Sequence, residues 1–444
     1  MQVPPTHRVA SGTLIAMLED ARQRTLALTR DLSDDQLLGP RLETVNPPLW
    51  ELGHIGFFYD HFVLQLLHGR NHYHLPGAAR LYDSTNIAHS LRWELPLPDR
   101  QQTHAYLSAV NDSLIARLPA GTASEADSYG YQLAIFHEDM HGEALTYLRQ
   151  TLGYAAPALS DEPAPETVAT GPLPGDACIP AGAHPLGSDA SVPFRFDNEK
   201  QAHTVAVAPF KIARAPVTNR EFAAFVEDGG YRRPELWCDA GWRWLTATGA
   251  IAPLYWRWHA GRWQERGFDH WIDLPPHQPV CHVNGYEADA FCRWAGRRLP
   301  TELEWEVAAS RAPSAEGTAL MPGKSRYPWG ERPPDRSLAN LDGNRLGRLD
   351  VAACAAGDSA FGCRQMIGNI WEWTASLFGP YPGFQPELYR DYSVPWFAEG
   401  RRVLRGGAWA TRSRMIHNGY RNFFTPERND IFAGFRTCAL PSRQ

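Results

Sequence analysis

Along roughly the first 150 residues, apolar positions recur at helical spacing. From Ser11 to about Arg30, the residues Leu14, Met17, Leu18, Ala21, Leu26 and Leu28 fall three or four apart, which predicts a long helix. Ser33-Asp34-Asp35-Gln36 has the form of a capping box and predicts a short helix. Asn46-Pro47-Pro48 opens another, since proline in a first turn lacks only an N–H that would be unpaired anyway. That helix runs through Trp50, His54 and Phe58 to about His68. A third long helix is expected over Thr103–Arg117 and a fourth over Tyr129–Leu152, stopping near Gly153. Four long helices with moderate connections predict a bundle.

The pattern then breaks. Pro157, Pro163, Pro165, Pro172 and Pro174 stand among Ala, Asp and Glu, the composition of a linker. Beyond residue 178 apolar runs are short, as in Thr204-Val205-Ala206-Val207-Ala208, Phe210-Lys211-Ile212 and Arg402-Val403-Leu404-Arg405, and glycine, proline and tryptophan are dense. Helices are expected over Asn219–Glu227 and Gly285–Gly296, followed by Glu302–Ala309. The chain divides into a helical domain over 1–154, a linker over 155–177, and a domain of little regular structure over 178–444, an α+β organisation. No internal repeat is visible.

Composition narrows the function classes. Hydrophobic residues make up 43% of the 444, enough for sizeable cores. A net charge of −6 with no long run of one sign speaks against a nucleic-acid or anionic-membrane surface. No apolar run approaches the ~20 residues of a membrane span. Seven cysteines without a Cys-x-x-Cys pair predict a reduced, cytoplasmic chain, and the N-terminus has no secretory pattern. A monomer is expected. The 16 tryptophans predict an aromatic-rich core or pocket.

Candidate chemistry lies in the histidines. His137-Glu138-Asp139-Met140-His141 sits inside the fourth predicted helix, where i and i+4 share a face, so both imidazoles can reach one metal. Paired helical histidines also occur as core or surface residues. His54 lies on another predicted helix between Gly53 and Gly56, and glycine there costs about 1 kcal/mol unless something approaches closely. Inward side chains of facing bundle helices build metal sites, so His54, His137 and His141 form a candidate three-imidazole centre. Three neutral nitrogens suit iron(II), zinc or copper, with coordination positions left open for catalysis. Glu143 is a candidate acceptor for a histidine N–H or a solvated surface charge. His61 is a rival ligand at i+7 from His54, and His68, His72 and His74 are expected on the surface.

Several strings resemble known families. Asn46-Pro47-Pro48-Leu49-Trp50-Glu51-Leu52-Gly53-His54, with His137, Glu138, His141 and Glu143, is similar to the DinB-like iron-binding half of the ergothioneine-type sulfoxide synthases. Ile179-Pro180-Ala181-Gly182, Pro216-Val217-Thr218-Asn219, Arg298-Leu299-Pro300-Thr301-Glu302 with Glu304-Trp305-Glu306, Gly368-Asn369-Ile370-Trp371-Glu372-Trp373-Thr374, Arg405-Gly406-Gly407-Ala408-Trp409 and Gly434-Phe435-Arg436 resemble the formylglycine-generating-enzyme domain. The resemblance implies a C-type-lectin-like fold for 178–444, Fe(2+) on His54, His137 and His141, and hercynine, the trimethylated betaine of histidine, as substrate. Such a centre has room for the substrate imidazole, a soft anion and dioxygen, turning an improbable encounter into an oriented one. The substrate's quaternary ammonium would favour aromatic faces. Trp409, Tyr420, Phe423 and Phe424 are candidates for these, or are ordinary core.

Three departures from the family concern the chalcogen donor. Members that use γ-glutamylcysteine carry two arginines after the Leu-Tyr-Asp segment, where this chain has His89 and Arg92. Arg421-Asn422-Phe423-Phe424 places an aromatic where those members carry an acid, and Met140 replaces a usual glutamine. A neutral donor would need fewer charges, because an unmatched buried charge costs several kcal/mol. The branch this resembles is that of the selenoneine synthases, which join a selenosugar to hercynine. The alternative is an ergothioneine-type enzyme using γ-glutamylcysteine or cysteine. The family also implies a tyrosine near the iron that supplies a proton or electron; Tyr389 and Tyr392 are the candidates, with a structural role as the alternative. Rivals from other classes are a formylglycine-generating enzyme, which needs a catalytic cysteine pair although Cys354 and Cys363 lie outside the Arg405–Arg436 strings where it is expected, a zinc hydrolase, and a non-catalytic lectin-like module.

Overall fold

The computed structural model describes residues 7–159 and 170–441. Met1–Thr6, part of the N-terminal segment expected to be non-secretory, and Pro163 and Pro165 of the expected linker lie outside the described residues. The chain forms two compact units. The first comprises the described residues of Met1–Asp161 together with Ala190–Asp197 and Gln385–Val394; the second takes those of Glu162–Asp189, Asn198–Phe384 and Pro395–Gln444.

The first unit is helical. Its elements are α1 (Ser11–Ala27), α2 (Asp34–Leu38), α3 (Pro48–Phe58), α4 (Ala78–Tyr82), α5 (Arg100–Arg117) and α6 (Glu125–Leu152). The capping box at Ser33 and Gln36 forms, and Pro48 occupies the first turn of α3. Two starts lie earlier than the apolar pattern placed them. Asp99 and Gln102 make a second capping box that begins α5 at Arg100, and Ser124 accepts from Asp127 N–H to begin α6 at Glu125. Beyond Phe58 the helix continues as a π-helix over Tyr59–Leu67, a form frequent at functional sites.

Close packing explains the glycines of α3. A Cβ on Gly53 would fall 2.1 Å from the Tyr82 ring, and one on Gly56 would meet Leu107 and Tyr106 at 2.9 Å. The close approach is therefore made by side chains of α4 and α5.

The helical unit is not one continuous stretch of chain. Two later segments join it through aromatic contacts: Phe194 stacks on Tyr129 at 5.4 Å and meets Phe136 at 4.7 Å, while Tyr389 meets Phe58 at 4.8 Å and Phe62 at 5.1 Å. Tyr129 also donates to Glu387.

In the second unit, β1 (Asp176–Ile179), β4 (Phe210–Ala213), β13 (Cys438–Ala439) and β8 (Arg297–Arg298) form one sheet in that order. A second sheet has the order β11 (Asn422–Phe424), β10 (Arg402–Arg405), β9 (Trp371–Leu377), β12 (Ala433–Gly434). A hairpin of β2 (Gly182–Leu186) and β3 (His203–Val207) and a meander of β5 (Trp256–His259), β6 (Arg262–Gly267) and β7 (His270–Asp273) complete the strands. The helices are α7 (Asn219–Glu227), α8 (Asp239–Thr248), α9 (Gly285–Trp294) and α10 (Glu302–Ser310); α7, α9 and α10 each start at a capping box.

Several motif residues of this half are buried charges that hold elements together. Arg405 donates to Glu302 at 2.9 Å and Glu306 at 2.6 Å, Arg421 to Glu302 at 2.8 Å, and Arg436 to Glu372 at 2.6 Å, where Trp305 Nε1 also donates. Removing one partner of such a pair typically costs about 3–5 kcal/mol, because it strands a buried charge.

The two kinds of helical glycine should respond oppositely to alanine. Gly53→Ala must displace the Tyr82 ring and is expected to cost about 1–3 kcal/mol. Gly142 in α6 has room, its Cβ lying 3.6 Å from Leu28, so Gly142→Ala should be neutral or stabilising by about 0.5–1 kcal/mol. Chemical denaturation midpoints check this; equal effects at the two positions would contradict the packing explanation.

Candidate metal centre

The centre is assembled from two helices of the first unit. His54 comes from α3, and His137 and His141 from successive turns of α6. One ring nitrogen from each lies within 4.8 Å of the others. Nε2 of His137 and Nε2 of His141 are 3.2 Å apart. Two nitrogens each ~2.1 Å from one ion, at roughly right angles, would be ~3.0 Å apart. The rings themselves are close, with centroids 4.8 Å apart for His54 and His141 and 4.4 Å for His137 and His141.

The far nitrogens show how two of these rings are fixed. Nδ1 of His54 lies 2.8 Å from the Tyr82 carbonyl, and the hydrogen bond leaves Nε2 as the free lone pair. Nδ1 of His141 meets the Glu51 carboxylate. His137 Nδ1 is buried without a hydrogen-bond partner, and its ring instead stacks on Phe58 at 3.6 Å. Trp50 stacks on His54 at 4.8 Å and donates Nε1–H to Leu81 at 2.7 Å.

Burial sets the protonation states. Desolvation, with His141 nearby, lowers His54 to about 3. Desolvation also takes His137 well below its usual value. Burial would raise Glu51, but the neighbouring His141 and His54 rings and the hydrogen bonds it accepts bring it down to about 2. His54 and His137 therefore present neutral imidazole nitrogens, the form a divalent transition metal requires of its ligands.

The other histidines lie elsewhere. His61 is paired with Tyr73 at 3.0 Å and stacks on Phe57. His68 faces Asp127 at 3.3 Å, and His72 is exposed. His74 corrects the surface expectation: its Nδ1 lies 3.2 Å from Asp60, a fully buried carboxylate that also accepts from His74 N–H and Tyr106, so the ring is held by that acid.

Tyr389 sits 5.8 Å from His137, centroid to centroid, and burial raises its phenol pKa. Tyr392 stacks on Tyr389 at 6.0 Å and packs on Phe196 at 4.7 Å. Met140 is half-buried on α6 beside His141. Arg92 donates to Asn46 at 2.6 Å and lies over Trp50, and His89 Nε2 pairs with the Val45 carbonyl at 2.7 Å. Both basic residues of that segment thus have partners inside the unit. In the second unit Trp409 packs on Phe432, Tyr420 on Trp371, and Phe423 on Phe378 at 3.8 Å, all three buried. Asn422 and Phe424 are half-buried, with the Arg428 guanidinium over Phe424. Cys354 and Cys363 are thiols raised by burial, Cys363 to about 11, unlike a poised nucleophile.

Sequence comparison decides the family. Residues 17–149 match the DinB superfamily, and residues 161–440 match the sulfatase-modifying factor enzyme 1-like domain. Hercynine oxygenase of Mycolicibacterium thermoresistibile is 39% identical over 97% of this chain and 95% of that protein. Hercynine oxygenase of Mycobacterium tuberculosis is 38% identical over 95% of this chain and 97% of its own. The chain belongs to the hercynine oxygenase family, the ergothioneine-type sulfoxide synthases. Membership makes it an oxidoreductase and accounts for both halves. By contrast, the formylglycine-generating enzyme of Mycobacterium tuberculosis, 33% identical, covers 59% of this chain. No described helix is long and apolar enough to cross a membrane.

Sequence reasoning missed Glu51, Asn46 and Tyr82 around the imidazoles. A signal existed for Glu51, which precedes His54 by one helical turn; Tyr82 acts through its backbone carbonyl, which no residue type announces. Purified without oxygen, the protein is expected to hold about one iron per chain, and His137→Ala to hold close to none. Full iron loading in that variant, by metal analysis, would remove His137 from the ligand set.

Proposed function

We propose that the chain is an iron(II)- and dioxygen-dependent enzyme that joins imidazole C2 of hercynine to the selenium of a selenosugar, giving a selenoxide on the way to selenoneine. The observation that carries the metal part is the convergence of three imidazoles in a hercynine oxygenase relative. In overall balance the C2–H and Se–H bonds break, C–Se and Se–O bonds form, and the second oxygen of dioxygen leaves as water. Iron, when bound, supplies the centre at which dioxygen is activated.

The residues have distinct parts in this reading. His54, His137 and His141 hold the metal. Tyr389, kept protonated by burial and lying against His137, is the proton donor, with Tyr392 packed on its ring. Met140 is a neighbour of the substrates on α6. Trp409, Tyr420, Phe423 and Phe424 are kept as candidate aromatic contacts to a substrate, with Asn422 as a polar one. The half-buried pair Asn422 and Phe424 is the more open to solutes.

Charge favours the selenosugar over γ-glutamylcysteine. Phe424 stands where a γ-glutamylcysteine user carries an acid, and Arg92 and His89 already have internal partners. A dipeptide with two carboxylates and an ammonium would lack matching charges at these positions, whereas a sugar needs only hydroxyl partners. The alternative reading, a sulfoxide synthase for γ-glutamylcysteine or cysteine, keeps the same metal site.

A direct competition tests the donor. The iron-loaded protein, given hercynine and air with selenosugar, γ-glutamylcysteine and cysteine, is expected to form the C–Se product in preference; product from γ-glutamylcysteine alone would overturn the donor assignment. In the same assay Tyr389→Phe should lower the rate by about 100-fold or more, and an unchanged rate would remove Tyr389 from the chemistry.

A further inference from the structure

The three proposed ligand imidazoles are supported unequally, and the support of His141 continues well beyond one contact. Its Nδ1 meets Oε2 of Glu51. Oε1 of the same carboxylate accepts from the Asn46 amide. Oδ1 of Asn46 in turn accepts from Arg92 at 2.6 Å. The Arg92 guanidinium lies 3.9 Å from the centre of the Trp50 ring, and that indole stacks on His54. One chain of contacts therefore ties two ligand imidazoles from different helices to a single arginine.

Glu51 is 3% exposed, yet its direct partners are an imidazole and an amide; Arg92 reaches it through Asn46. A buried carboxylate without a directly bonded cation is costly unless a charge nearby compensates it. A divalent ion held by the far nitrogen of His141 would supply that charge. The same bond fixes which imidazole nitrogen carries the proton and aims the other at the metal.

We propose that Glu51, oriented by Asn46 and Arg92, is a positioning residue that sets metal affinity through His141, and that Arg92 serves this relay instead of contacting the chalcogen donor. The proposal rests on the reading of His54, His137 and His141 as metal ligands and adds the residues that tune them.

Cobalt(II) is the probe, titrated into the full metal-free chain against a competing chelator. Glu51→Ala is expected to bind it about 10–100-fold more weakly. Glu51→Gln, which keeps an acceptor for the imidazole N–H, should lose less than about tenfold. A Glu51→Ala protein within tenfold of the unmodified chain would overturn the relay. Should that variant fail to fold, Asn46→Ala decides by the same titration: a loss of threefold or more supports the relay and a smaller loss overturns it. His137→Ala separates the two levels. Loss of cobalt in His137→Ala with retention in Glu51→Ala defeats the relay alone, whereas undiminished binding in His137→Ala defeats the metal reading and the relay with it.

Discussion

The crowding of three imidazoles in one poorly solvated place constrains everything else in the helical unit. Burial disfavours protonation of His54 and His137, so their nitrogens are neutral and converge with a third on a common point. Such convergence leaves lone pairs facing one another unless a proton or a cation lies between them. Neutral nitrogens of intermediate softness suit a divalent first-row metal, and three of them leave coordination positions for substrates. The fold has to hold that arrangement against the repulsion it would otherwise create.

The chain meets this demand with ordinary packing. Gly53 lets the Tyr82 ring lie against α3, and the carbonyl of the same tyrosine fixes His54. Phe58, one turn after His54, gives His137 its stacking surface. A segment far along the chain, Gln385–Val394, brings Tyr389 to Phe58 and His137. The chemistry proposed for the site thus depends on contacts between residues more than 250 positions apart, set by aromatic burial and a Tyr129–Glu387 hydrogen bond.

Much of this was legible in the residues, for definite reasons. The i, i+4 spacing of His137 and His141 follows from helix geometry, and the capping box at Ser33 and the proline at the start of α3 are local signals that tertiary packing did not override. The strings of the second half announced a family because they carry buried ion pairs: Arg405 holds Glu302 and Glu306, and Arg436 holds Glu372, so each member is tied to its partner. Other features were hidden. The short strands have no period to detect, and Asp99 and Ser124 moved helix starts that the apolar pattern alone placed too late. His74 looked like surface because its partner, Asp60, lies on another element. Arg92, a candidate substrate contact in the sequence, donates to Asn46, a partner that a sequence does not show.

X-ray absorption at the iron edge of the anaerobic, iron-loaded protein tests the central claim most directly. Scattering from three imidazole rings at about 2.1 Å is expected, with the remaining positions filled by oxygen from water. A shell with one imidazole or none, or one dominated by sulfur, would contradict it.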